Sequence, residues 1–281
     1  MQKQISEVSI FADGLDHPEC VAVHPDGSVW AGGEAGQVYK ISADGKDVKE
    51  VANTGGFNLG IAFSPAADWL AICDNKNKCV WKYDLLTGML VRLPSMIDGR
   101  NINIPNYPVF GKDGSLYVSE SGAFRQVNGM IYKYDPQGNG SIWHRGPFNF
   151  ANGLALSADQ QMLYVACTWL PGVEKIQIHP DGTAGERTVL ITLPETCPDG
   201  IAIDQKGNIF ISCYAPNTIY QLNAAGELTT LIHDWESHTI CNPTNMAFGG
   251  KNNQQLFIAN LGRWHIARID MDVPGLPLCN R

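Results

Sequence analysis

The chain has 281 residues, 44% hydrophobic and 17% charged, enough for one large globular domain or two ordinary ones with a substantial core. Its 28 acidic against 20 basic residues give a formal charge of −8 with no Lys/Arg cluster, which argues against a nucleic-acid backbone as partner and for a small or neutral ligand. No stretch reaches the length of a membrane span, and the opening MQKQISEVSIF has neither a long apolar segment nor a small-residue cleavage site, so the reading is of a soluble, cytoplasmic protein.

The first predicted element is VSIFADG (8–14), and after it one phrase recurs along the whole chain. ECVAV (19–23) precedes HPDGSVWAGG, LGIAF (59–63) precedes SPAADWLAIC, and NYPVF (106–110) precedes GKDGSLYVSES. NGLAL (152–156), DGIAI (199–203) and TNMAF (244–248) open three more units of the same design. Their first positions, 19, 59, 106, 152, 199 and 244, lie 40, 47, 46, 47 and 45 apart. Each unit reads as an apolar strand, a polar turn often built on Asp-Gly, and a second strand rich in β-branched and aromatic residues. A third strand follows in VYKI, VWKYD, IYKYD, VEKIQI, IYQLN and IARID, which alternate apolar with polar as half-buried strands do. Four-stranded units repeating every 40 to 50 residues predict an all-β fold, a six-bladed β-propeller forming a single domain over residues 1–281. The last unit runs out soon after IARID, so the N- and C-terminal strands are expected to close one blade together. Residues 8 to 11 would lie beside residues 266 to 270 and leave no open edge.

In such a ring the first position of each innermost strand faces the axis near one end. Those positions hold Glu19, Leu59, Asn106, Asn152, Asp199 and Thr244. Two carboxylates brought together in a dry channel are costly unless compensated, and no Lys or Arg stands at an equivalent place. A bound divalent cation resolves this, with Glu19 and Asp199 supplying charge and Asn106 and Asn152 neutral oxygens. An Asn-Gly or Asp-Gly pair taken alone reads as a turn leading into a strand. Its recurrence in register across units favours the metal reading, with Leu59 as an apolar wall.

Eight cysteines, Cys20, Cys73, Cys79, Cys167, Cys197, Cys213, Cys241 and Cys279, contain no C-x-x-C pair, so zinc clusters are unsupported. Most stand in apolar runs and read as small buried hydrophobes. No G-x-S-x-G elbow, Walker loop or dinucleotide fingerprint is present.

The segments HPECVAVHPDGSVWAGGEAGQVYKI, PNYPVFGKDGSLYVSES, FANGLALSADQQMLYVAC and CPDGIAIDQKGNIFIS resemble the senescence marker protein/gluconolactonase family over nearly the whole chain. The resemblance implies a six-bladed propeller holding one divalent metal, calcium first, with zinc, manganese, magnesium or iron as other ions. By position it makes Glu19, Asn106, Asn152 and Asp199 the ligands, and it implies hydrolysis of a sugar or related lactone. In the sugar-lactonase branch an Arg two residues before the second-blade Asn and an Asp directly after it help bind substrate. Here Ile104 and Tyr107 occupy those places, so Tyr107 is read as contacting a less polar substrate.

Asp199 is the expected general base, with the reservation that direct coordination makes a carboxylate a poorer proton acceptor. His17, Asn58, Glu34 and Arg263 are further candidates for the substrate mouth, and Trp143 and Trp169 are expected to pack between blades. The small-molecule lactone or ester reading goes with a monomer or weak homo-oligomer. The competing readings are a non-enzymatic propeller binding a ligand or partner, and another reaction on the same scaffold, such as organophosphate ester hydrolysis or a strictosidine-synthase-like condensation.

Overall fold

The computed structural model describes residues 2–277; Cys279 lies outside them. Six four-stranded antiparallel sheets follow one another around a ring, as the sixfold phrase predicts. The innermost strands are Cys20–Val23, Asn58–Phe63, Pro105–Phe110, Ala151–Leu156, Pro198–Ile203 and Pro243–Gly249, in blades 1 to 6 respectively. The regular helical structure among the described residues is two short 3-10 turns, Ile5–Glu7 and Lys251–Asn253.

Both ends of the chain close blade 6. Ser9–Asp13 forms its outer strand against His265–Asp270, with Ile10 opposite Ala267 and Asp13 opposite His265. The expected closure therefore holds, with the N-terminal strand extending to Asp13. A small hairpin, Met96–Ile97 with Arg100–Asn101, interrupts the connection from blade 2 to blade 3 and has no counterpart in the repeat.

The core is a ring of six apolar clusters, one in each gap between neighbouring blades. This follows from the strand patterns. Each sheet presents side chains to both neighbours, so alternate residues on both faces must be apolar in the inner three strands while the outer strand stays wet. Trp143 packs in the gap between blades 3 and 4, edge-on to Tyr117 at 5.0 Å, as expected. Cys20, Cys73, Cys79, Cys167 and Cys213 are buried in these walls, and Cys197 and Cys241 are half-buried. For the buried five the reading as small hydrophobes holds.

Candidate functional site

Five of the six inner strands are irregular at one place, the channel position. Pairing with the second strand skips between Asn58 and Gly60, Pro105 and Pro108, Ala151 and Leu154, Pro198 and Ile201, and Pro243 and Met246. A bulge re-aims the side chain it carries, and here the bulged segments carry Leu59, Asn106, Asn152, Asp199 and Thr244. In blade 1 Glu19 immediately precedes its strand. The glycines after these residues are not turn residues. A Cβ on Gly60 would lie 2.4 Å from Asn106 O, one on Gly153 2.4 Å from Asp199 O, and one on Gly200 2.5 Å from Thr244 O. The Asn-Gly and Asp-Gly pairs thus sit inside strands, where adjoining inner strands approach too closely for a side chain.

Glu19, Asn106, Asn152 and Asp199 are all buried. Their partners explain how they are held. Asn106 Nδ2 donates to Ser121 Oγ (3.0 Å), which donates to Ala151 O (2.8 Å). Asn152 Nδ2 donates to Thr168 Oγ1 (3.2 Å) and to Asp199 Oδ2 (3.1 Å), and Thr168 Oγ1 donates on to Pro198 O (2.9 Å). Each amide is anchored through its N–H groups by a hydroxyl at the end of the second strand. Its carbonyl oxygen is left over. Glu19 Oε2, Asn106 Oδ1, Asn152 Oδ1 and Asp199 Oδ1 are buried without a hydrogen-bond partner, and Asn245 Oδ1 is the fifth oxygen of this kind among the described residues.

Asn245 was not anticipated from sequence, because it stands where blades 2, 4 and 5 have glycine. Its Nδ2 donates to Glu19 O (3.0 Å) and Leu59 O (3.2 Å), binding blade 6 to blades 1 and 2, and Thr244 Oγ1 donates to Glu19 O (2.6 Å). Electrostatics ties the two acids together. Burial first, then the charges of Asp199 and Glu34, push the Glu19 carboxyl well above its ordinary value. Burial pushes Asp199 up to about 7, against the pull of its hydrogen bond from Asn152.

The rim candidates separate into different roles. Asn58 is fully buried and its side chain is a tie between blades, donating to Gln37 O (3.0 Å) and accepting from Thr54 Oγ1 (3.0 Å). It offers a ligand no surface, which corrects its place among the mouth residues. His17, Glu34 and Arg263 do lie on the face where the inner strands begin. His17 Nδ1 is 3.0 Å from Asp16 Oδ1 and 3.6 Å from Glu34 Oε2. Asp16, His17 and Glu34 form the one cluster of three such donors among the described residues. Asp16 is already committed, since its other oxygen accepts from Gln37 Nε2 (3.0 Å) and Ala35 N (3.3 Å). Arg263 donates from Nε (3.0 Å) and Nη2 (2.8 Å) to Ser237 O.

Tyr107 is half-buried and packs against the cluster between blades 3 and 4, with its N–H on Ser119 Oγ at 2.9 Å. Burial raises its hydroxyl above the ordinary value. Tyr214, missed from sequence, is 38% exposed. Burial and then the charges of Glu19 and Asp199 raise its pKa. Trp169 departs from expectation. It joins Phe124 and Phe150 in an aromatic group on this same face and lies outside the clusters between blades.

A profile of the SMP-30/Gluconolactonase/LRE-like region matches residues 88–261. A gluconolactonase of Zymomonas mobilis subsp. mobilis is 28% identical over 211 residues, covering 68% of this chain and 57% of that protein. The chain spans less than two thirds of the length of this and the next curated relatives it matches. Among solved structures, the gluconolactonase XC5397 of Xanthomonas campestris superposes with a TM-score of 0.80 at 20% identity, covering 95% of this chain and 89% of that one. A calcium-binding protein, regucalcin, of Agrobacterium tumefaciens gives 0.78 at 15% identity, covering 95% of each. At these identities the superpositions establish the six-bladed fold.

Proposed function

The chain belongs to the SMP-30/Gluconolactonase/LRE-like family, and from that premise we propose that it is a metal-dependent lactonase whose cation is held by Glu19, Asn106, Asn152 and Asp199. The observation that carries this is the set of buried oxygens without donors. One such oxygen costs about 1–3 kcal/mol, and here one comes from each of four blades, two of them on acids that repel each other. Protein donors are absent from them while both amide nitrogens in the set donate to the protein. A hard cation supplies what these atoms lack, and a mixed set of carboxylate and amide oxygens suits calcium first, with magnesium, manganese, zinc or iron as the other ions.

When bound, such an ion polarises the lactone carbonyl and lowers the pKa of water at the site. The chain's own residues do the rest. Asn106 and Asn152 add no charge, so the set keeps a net charge of about −2 from Glu19 and Asp199, matched to a divalent ion. Asn152 fixes Asp199 Oδ2 by its 3.1 Å hydrogen bond, leaving Oδ1 without a partner. We assign Asp199 to take the proton from the attacking water and return it to the ring oxygen. Water is thereby added across the C(=O)–O bond and a hydroxy acid results. Glu34 and His17 line the approach from blade 1.

The test is elemental analysis of the purified protein, followed by a pH-indicator assay over aldono- and aliphatic lactones with and without chelator. One divalent ion per chain, with turnover lost to chelator and restored by metal, is the expected result. Metal without lactone turnover would move the reading to another ester, such as an organophosphate. Neither metal nor turnover would leave a binding module.

A further inference from the structure

The mouth of the channel has two unlike halves. Over blades 6 and 1 stand Asp16, His17, Glu34 and Arg263, with Trp264 tilted on the His17 ring at 5.5 Å. Over blades 3 and 4 stand aromatic rings. Phe124 lies edge-on to Trp169 at 5.4 Å and to Phe150 at 6.3 Å, and Phe150 and Trp169 are 5.9 Å apart. The three come from separate loops, each next to the candidate metal ligands. Phe124 follows Ser121, which holds Asn106; Trp169 follows Thr168, which holds Asn152; Phe150 is two residues before Asn152. Although clustered, Phe124 remains 66% exposed.

Several polar atoms in this half are bonded to the backbone. Both oxygens of Glu120 accept N–H groups, from Asn103 at 2.9 Å and Ile104 at 3.0 Å. Asn128 Oδ1 accepts from Ala123 N (2.9 Å) and Asn149 Nδ2 donates to Trp169 O (2.8 Å). Trp169 Nε1 is the one buried side-chain donor without a partner among the described residues. It would be satisfied by an acceptor on a molecule seated against the rings. The Arg125 guanidinium lies 5.0 Å from the Trp169 ring and 5.7 Å from the Phe124 ring, bridging the group with a cation.

We propose that Phe124, Phe150 and Trp169 form a specificity wall that seats the apolar ring of the substrate, making the preferred substrates lactones fused to or bearing an aromatic ring. The reaction rests on the lactonase reading; the binding of the ring does not. Flat apolar rings pack on such a surface by edge-on and offset contacts.

The experiment compares kcat/KM for dihydrocoumarin, δ-valerolactone and glucono-δ-lactone in the metal-loaded wild type and in Phe124→Ala, which changes an exposed side chain and leaves folding intact. The wild type should prefer the benzo-fused lactone over the unfused one by about tenfold or more. Phe124→Ala should cut that ratio by about tenfold, mainly through KM. Equal rates on fused and unfused lactones, a preference for the sugar lactone, or an unchanged ratio in Phe124→Ala would overturn the wall. A calorimetric titration with the non-hydrolysing lactam dihydroquinolinone, against piperidinone, separates this from the reaction itself. Tighter binding of the fused lactam, weakened by Phe124→Ala, upholds the wall even where no lactone is turned over. Equal binding of the two lactams rejects it even where lactones are.

Discussion

Asp74 and Asp234 are as deeply buried as Glu19 and Asp199, yet the structure treats the two pairs in opposite ways. Asp74, in the wall of blade 2, accepts from Phe57 N, Asn77 N, Asn77 Nδ2 and Trp81 Nε1. Asp234 accepts from four backbone N–H groups, those of Glu236, Ser237, Thr239 and Ile240. Burial pushes both upward, but these donors outweigh it and hold both carboxyls below their ordinary value. On the axis burial outweighs the N–H that Asn152 donates to Asp199 Oδ2, and Glu19 and Asp199 are pushed up. Where a buried charge serves the loops, the chain supplies its donors. Where it faces the channel, the chain supplies further acceptors, Asn106, Asn152 and Asn245. On the proposed reading, the oxygens left there without donors are what a cation would satisfy.

The sharpest way to break this contrast is to remove one acid of each kind. Asp199→Ala should lower metal affinity by at least about a hundredfold, beyond what loss of a supporting residue costs, and abolish turnover. In chelated protein its melting temperature should not fall, because the substitution deletes a repulsion. Retained metal and activity would dismiss Asp199 from both roles. Asp234→Ala should do the reverse. Four backbone donors lose their acceptor, for a destabilisation of about 3 kcal/mol, while metal content in the surviving folded protein stays at the wild-type level. Equal thermal effects from the two substitutions would mean that axis and wall acids are not different in kind.

Much of this was legible in the sequence, and what was not has identifiable causes. The sixfold phrase located the inner strands and the channel positions because a bulge at the same point in successive repeats keeps the register readable. The glycines were legible as repeats but not in purpose. An Asn-Gly pair looks the same whether it makes a turn or lets Asp199 O pass 2.4 Å from the place of a missing Cβ. Asn245 escaped because it stands one residue after the channel position of the repeat, where blades 2, 4 and 5 have glycine. Asn58 was mistaken for a mouth residue, since adjacency to Leu59 says nothing of Thr54 and Gln37, which absorb its side chain. The aromatic group could not be read at all: positions 124, 150 and 169 belong to three loops that only the packing of blade 3 beside blade 4 brings together.

Titration offers the finest discrimination, because the two kinds of acid predict slopes of opposite sign. Asp74 and Asp234 ionise below their unfolded values, so their stabilisation is present above the ordinary carboxylate range and is lost as pH falls through their folded values. Asp199 keeps its proton up to about 7 in the folded, metal-free chain. The folded state then binds more protons than the unfolded one between the ordinary carboxylate range and that value, and stability falls as pH rises through it. Chelated protein should therefore melt at its highest temperature in mildly acidic buffer and lose stability toward neutrality. Saturating divalent ion should remove that loss, since a cation in the ring replaces the proton. Asp199→Asn in chelator should make the same limb shallower, Glu19 keeping its share, while leaving the acid limb, which belongs to the wall, in place. A chelated wild type that melts at the same temperature at pH values about two units apart on either side of the Asp199 titration would show that its charge is already compensated by protein, and the contrast between axis and wall would fail.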